Sequence, residues 1–319
     1  VTPDTALAKE AGLELGIKGS IVVNDRMETS VPDIYAAGDA VQVKHYVTGD
    51  DALISLAGPA NKQGRIIADN ICGGDSRYLG SQGSSVIKVF DMTAATTGIN
   101  ETNAKKSGLD VDTVILSPMS HAGYYPGGKV MTMKVVFEKE TYRLLGAQII
   151  GYEGVDKRID VLATAIHAGL KATQLKDLDL AYAPPYSSAK DPVNMAGFMI
   201  DNIAKGTLKQ WHLEDMDKIS KDKSVVLLDV RTVGEFNRGH MDGFRNIPVD
   251  ELRERINEIE KGKPVYLICQ SGLRSYIASR ILEGNGYETY NFSGGFRFYD
   301  AVVNDRALIE RAYACGMDY

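Results

Sequence analysis

The chain has 319 residues, 44% of them hydrophobic and 24% charged, with a formal net charge of −6. This is the composition of a soluble globular protein of two or three domains. No basic block points to a nucleic acid partner, and no apolar run reaches the roughly 20 residues that span a bilayer. The three cysteines, Cys72, Cys269 and Cys315, show no CxxC spacing. That is too few for a disulfide framework and fits a reducing, cytoplasmic setting; no metal site is expected.

The opening stretch VTPDTALAKEAGLELG reads like the interior of a domain, so an amino-terminal part is expected to precede Val1. Ile21–Val23 and Ile34–Ala37 read as short strands around a polar turn at Asn24–Arg26. A helix follows in GPANKQGRIIADNIC, stopped by Gly73–Gly74. The Gly/Ser-rich GGDSRYLGSQGSS then closes a first segment, residues 1–80.

From Ser85 the runs SVIKVFDMTAATTGI, DTVILSPM, KVMTMKVVFE and RLLGAQIIG predict an antiparallel meander. The amphipathic VDKRIDVLATAIHAGL puts Ile159, Leu162, Ala163, Ile166 and Leu170 on one helical face. After AYAPPYSSAKDP, a second helix runs through VNMAGFMIDNIAKG to Gly206, completing an α+β unit over 81–207. TLKQWHLEDMDKISKDK reads as a polar linker or the entry to a third unit, 208–312. There strands (SVVLLDVR, PVYLIC, ETYNFSGG) alternate with helices (ELRERINEI, RSYIASRILEGNG), which predicts a small parallel α/β domain; 313–319 is a tail.

The strand PVYLIC delivers Cys269 to the carboxyl end of that sheet, where α/β folds place their sites. Gln270, Ser271, Gly272 and Leu273 must then turn into the helix carrying Arg274 and Ser275. Successive amides in such a turn make an anion-binding nest, reinforced by the helix terminus, and favour a thiolate. Gly272 permits the turn, and Arg274 offers a fork of donors to an anionic substrate.

This Cys-x4-Arg loop resembles the active loop of rhodanese sulfurtransferases; the comparable phosphatase loop is one residue longer. The resemblance runs from about Asp215 to Asp305. It includes LLDVR, where it implies that Asp229 and Arg231 brace the site, and also GHMDGFRNIP and FSGGF. It implies that Cys269 carries a transient persulfide, with His240 structural.

ETSVPDIYAAGDAVQV resembles the second flavin fingerprint of the pyridine nucleotide–disulfide oxidoreductases. That resemblance implies that Gly38 lets a ribityl–phosphate chain approach and that Asp39 accepts from a ribityl hydroxyl. The helix beginning near Ala57 would point its amino-terminal dipole at the flavin. No Gly-x-Gly-x-x-Gly occurs, and the family's redox cysteine is missing. FAD and NADH are therefore expected to bind only with a preceding part of the protein.

Residues 85–206 resemble the family's dimerisation domain, implying a homodimer. DLAYAPPYSSAKDPVNMAGF lacks the His-Pro-x-x-Glu pair of glutathione-reductase-like members. It is similar instead to coenzyme A-disulfide reductases, which implies that Tyr182 and Tyr124 (in HAGYYPGG) serve a cysteine sulfur or its mixed disulfide with coenzyme A. Tyr125 and Tyr186 are neighbours easily confused with them. Cys72 is expected to be inert, and Cys315 lies in the tail.

Together the segments resemble coenzyme A-disulfide reductase–rhodanese fusions acting on coenzyme A disulfide, persulfide or polysulfide. The alternatives are an NADH-oxidase-type parent, a rhodanese domain serving only for docking, and a stand-alone sulfurtransferase.

Overall fold

The computed structural model describes residues 2–314, so Cys315 lies outside the described residues. The first segment opens with helix α1 (Ala6–Glu10) and a small sheet of β1 (Ile21–Val22), β2 (Val41–Lys44) and β3 (Asp51–Ala52). Met27, Val41 and Val43 form its buried centre, with Ile66 and Ile67 of helix α2 (Ala57–Ile71) packed on them. The expected strand at Ile34–Ala37 does not form: Tyr35 makes only an isolated bridge to Glu28. Met27 and Asp33 take positive φ, 66° and 63°, which folds the segment into a tight loop and leaves Ile34 exposed.

The second segment holds β4 (Ser85–Val89), β5 (Met92–Gly98), α3 (Glu101–Lys106), β6 (Val111–Leu116), β7 (Thr132–Glu138) and β8 (Leu144–Gly151). Its sheet is antiparallel, as expected, but its order is β4-β5-β8-β7-β6 rather than a simple meander. The run SVIKVFDMTAATTGI is a hairpin of two strands turning at Phe90. Asn100 then caps α3 by accepting from the Asn103 amide, and this helix leads the chain away from β5, so that β6 pairs at the far edge. Helices α4 (Val155–His167) and α5 (Pro192–Ala204) cover the sheet. α4 ends before Leu170, and Ala165 rather than Ala163 completes its buried stripe.

The third segment is a parallel sheet of order β11-β10-β12-β13-β9, as its alternating pattern predicts. Its strands are β9 (Gln210–Trp211), β10 (Val226–Asp229), β11 (Arg245–Asn246), β12 (Val265–Ile268) and β13 (Thr289–Phe292). The helices are α6 (Met216–Ile219), α7 (Val233–Arg238), α8 (Leu273–Glu283) and α9 (Gly295–Ala314). Of the two readings of TLKQWHLEDMDKISKDK, entry to the third unit is the one the structure shows: it contributes β9, because Trp211 buries its indole against Phe292, centroids 4.5 Å apart. The helix expected in ELRERINEI does not form: the run makes i→i−3 turns and one 3₁₀ turn at Ile256–Glu258, the tighter geometry of short connections.

β6 is an edge strand, and the third segment closes it. The Ile115 amide donates to Ser293 Oγ at 3.1 Å, and Gln210 Nε2 donates to the Thr113 carbonyl at 2.8 Å. His212 Nε2 sits 3.0 Å from an Asp112 oxygen. Backbone groups that an exposed edge would offer to another chain are thus satisfied within this one. Among the described residues no helix is long and apolar enough to cross a membrane.

Candidate functional site

β12 ends at Ile268 and sets Cys269 at the carboxyl edge of the parallel sheet, 1% exposed. Gly272 turns the chain at φ 99° into α8. Its amide donates to Cys269 Sγ at 3.1 Å, and Ser275 Oγ lies 3.2 Å from the same sulfur. Among the described residues the amides of Gln270, Ser271, Leu273 and Arg274 have no acceptor. An anion outside the sulfur would therefore meet several unpaired N–H dipoles.

The loop is held from behind. The Phe296 and Arg297 amides donate to the carbonyls of Cys269 and Gln270, at 2.8 and 3.2 Å. Gly295 has φ 68°, and a Cβ there would lie 2.7 Å from Gln270 and Ser271 backbone atoms. This close approach is what the FSGGF glycine permits. Asp229 and Arg231 are both buried and joined at 2.6 Å; Arg231 also donates to the Gly239 carbonyl and lies 3.9 Å over the Phe296 ring. They brace the loop floor. His240 stacks on Phe236, centroids 4.0 Å apart, and its Nδ1 meets the Phe236 carbonyl.

Arg274, expected to offer a fork of donors to an anionic substrate, has its end-on pair of nitrogens engaged, while among the described residues its Nε has no acceptor. Both terminal nitrogens donate to the Glu235 carboxylate, at 2.7 Å each. The same carboxylate accepts from the Thr232 amide and hydroxyl, closing the capping box that starts α7. The Arg274 hydrogen bonds hold the Glu235 carboxyl at about 2, well below its usual range. Sequence reasoning missed Glu235, although Thr-x-x-Glu before an apolar residue is a legible capping signal.

In the first segment Gly38 takes φ 81°, and its amide donates to Gln63 Oε1 at 2.7 Å. Gln63 is buried on α2, so it ties the Gly38–Asp39 turn to that helix. Asp39 and Ala57 are exposed. α2 begins at Ala57 without a side-chain cap or an acidic residue in its first turn. Among the described residues the Asp39 carboxylate and the first amides of α2 have no partner, and Gly38 puts no side chain in the way; this fits one edge of a flavin. Gln63 is a second residue that the fingerprint alone did not reveal.

Tyr124 and Tyr182 meet: their hydroxyl oxygens are 2.7 Å apart. The hydrogen bond from Tyr124 pushes the Tyr182 phenol above its ordinary range. Tyr125 instead packs edge-on against His121, and Tyr186 lines a cleft of about 470 Å³ with Tyr182, Pro185, Lys157 and Arg158.

Arg158, 1% exposed, is the unforeseen residue of this site. It donates to Asp191 at 3.0 and 3.2 Å, reaches the Ser120 carbonyl at 2.9 Å and lies 3.2 Å from Ser187 Oγ. It thus joins the loop that carries Tyr124 to the one that carries Tyr182. A charge within the apolar stripe of α4 was the available signal. The loop of Cys269, the tyrosine pair and the Gly38 turn lie on different segments, and no hydrogen bond among the described residues joins them.

Three family descriptions match the chain: pyridine nucleotide-disulphide oxidoreductase over residues 1–64, its dimerisation domain over 84–192, and a rhodanese-like domain over 212–301. The chain is 40% identical over 193 residues to the NAD(P)H sulfur oxidoreductase (CoA-dependent) of Pyrococcus furiosus, covering 60% of this chain and 43% of that protein. The crystal structure of reduced Bacillus anthracis CoADR-RHD superposes with a TM-score of 0.92 at 47% identity, over 96% of this chain and 55% of the other. An NAD-dependent persulfide reductase from A. fulgidus gives 0.85 at 42% identity, over 93% and 54%. The chain therefore spans about half the length of the relatives it matches.

Proposed function

The chain belongs to the pyridine nucleotide–disulphide oxidoreductases, with a rhodanese-like domain after their dimerisation domain, and from this we propose that it supplies the dimerising and sulfur-carrying part of an NAD(P)H-dependent reductase. The substrates are coenzyme A disulfide, coenzyme A persulfide or polysulfide. The working form is a cytoplasmic homodimer.

FAD, when bound, supplies two-electron transfer between NAD(P)H and sulfur. Gly38, Asp39 and the open amides at Ala57 would hold one edge of it. Tyr182 and Tyr124 share one hydrogen bond, so the pair can donate to a departing thiolate and release it as the thiol.

Cys269 acts as a covalent carrier. Its thiolate attacks the outer sulfur of R–S–SH; the new S–S bond forms as the old one breaks, and RS⁻ leaves with the electron pair and takes up a proton. The unpaired amides around Sγ then hold the persulfide anion. The observation that carries this reading is the Cys269 loop itself: a buried thiol that accepts from the Gly272 amide, in a loop whose neighbouring amides have no acceptor among the described residues.

Sulfur transfer to cyanide by the chain, compared with Cys269→Ser, tests the carrier role. Loss of transfer is expected, and equal rates would overturn it. For the reductase, NADH oxidation by the protein containing the flavin segment is measured with coenzyme A persulfide, coenzyme A disulfide and oxygen. Oxygen as the fastest acceptor would favour an oxidase instead.

A further inference from the structure

The two arginines at the Cys269 loop are each paired with a carboxylate. Arg231 is paired with Asp229, and Arg274 presents its paired N–H edge to Glu235. Glu235 does not depend on Arg274 for its place, because the Thr232 amide and hydroxyl hold the same carboxylate at 3.0 and 2.9 Å. The loop therefore offers an incoming sulfur donor its amide dipoles, while the end-on fork of Arg274 is already taken and its charge offset by the Glu235 carboxylate. Amide dipoles suffice for a single negative charge. A dianion approaching a thiolate meets a larger repulsion, which a bidentate arginine would otherwise offset.

We infer that Glu235 is a specificity-determining residue: by engaging Arg274 it tunes the Cys269 loop for small persulfides and against dianionic sulfur donors such as thiosulfate. The inference rests on Cys269 being the sulfur carrier and adds which donors reach it. With thiosulfate, the Cys269 thiolate attacks the sulfane sulfur, the S–S bond to the sulfonate breaks, and sulfite leaves with the electron pair. Three negative charges gather at the start of that step. With a neutral persulfide R–S–SH only the thiolate charge is present.

Glu235→Gln tests this, since glutamine keeps the capping box of α7 while removing the carboxylate that chelates Arg274. Transfer to cyanide by the full chain is measured from thiosulfate and from cysteine persulfide. The ratio of kcat/KM, thiosulfate over persulfide, is expected to rise about tenfold, the worth of roughly 1.4 kcal/mol. Glu235→Asp, which keeps the charge on a shorter arm, is expected to give a smaller rise. Adding Arg274→Gln to Glu235→Gln is expected to erase the gain.

An unchanged ratio in both Glu235 variants overturns the inference, including the case where both donors slow equally because the loop is merely disturbed. A gain that survives removal of Arg274 also overturns it. Persistent transfer by Cys269→Ser overturns the carrier reading instead, so the two failures are distinguishable.

Discussion

The buried guanidinium of Arg158 and the buried carboxylate of Asp191 meet at 3.0 Å beneath the two loops that hold the tyrosine pair. Asp191 also caps α5 by accepting from the Val193 amide, so one ion pair orders a helix start and both loops. Removing one partner of such a pair leaves a buried charge without compensation, at a cost of about 3–5 kcal/mol. Arg158→Met is expected to lose that much in urea unfolding. A loss below about 1 kcal/mol, the range of a surface pair, would refute the role.

The contact between Tyr124 and Tyr182 is checked by titration. Because the Tyr124 hydrogen bond raises the Tyr182 phenol, Tyr124→Phe is expected to return Tyr182 toward the ordinary tyrosine range. Phenolate absorbance during an alkaline titration reports this directly. No shift beyond the loss of one tyrosine would mean the two hydroxyls do not meet in solution.

Gly295→Ala is expected to displace the loop of Cys269. Its φ of 68° disfavours a side chain, and the new Cβ would collide with backbone at 2.7 Å. Positive φ alone costs about 1–2 kcal/mol, and backbone cannot swing aside as a side-chain tip would. A lower melting temperature together with faster alkylation of Cys269, now 1% exposed, is the expected result.

Acid should weaken the third segment through Glu235. Its carboxyl is held at about 2 against an ordinary 4.5, so the folded state binds the proton less readily than the unfolded chain. The contribution is therefore full above about 4.5 and is lost as pH falls from there toward 2. Glu235→Gln lacks it at every pH, so the urea midpoints of the two proteins are expected to converge across that window. Parallel curves would contradict the ion pair.

Ser293→Ala leaves the Ile115 amide without its acceptor where the third segment closes β6. A buried donor left unmade costs about 1–3 kcal/mol. Faster proteolysis between α5 and β9 is expected, and an unchanged cleavage rate would indicate that this bond does not hold the two segments together.

Short-range patterns were legible in the residues. The 3.6-residue stripe marked α4, the alternation of apolar runs marked the parallel sheet, and CQSGLRS marked a strand–turn–helix with a thiol at its start. Misreadings and open choices arose where a local pattern competed with distant partners. Ile34–Ala37 is apolar enough for a strand, yet positive φ at Met27 and Asp33 turns it into a loop. Lys209–His212 looks polar, yet Trp211 finds Phe292 far along the chain and makes β9.

The sequence by itself determined the chemistry available, a thiol in an amide-rich turn and tyrosines in two loops, because spacing along the chain decides what a turn or helix start can present. Only the tertiary structure decided the pairings. Tyr124 meets Tyr182 across 58 positions, Glu235 meets Arg274 across 39, and Arg158 reaches Asp191 across 33. Each pairing depends on how helices and loops pack, a property of the whole core that no local window contains.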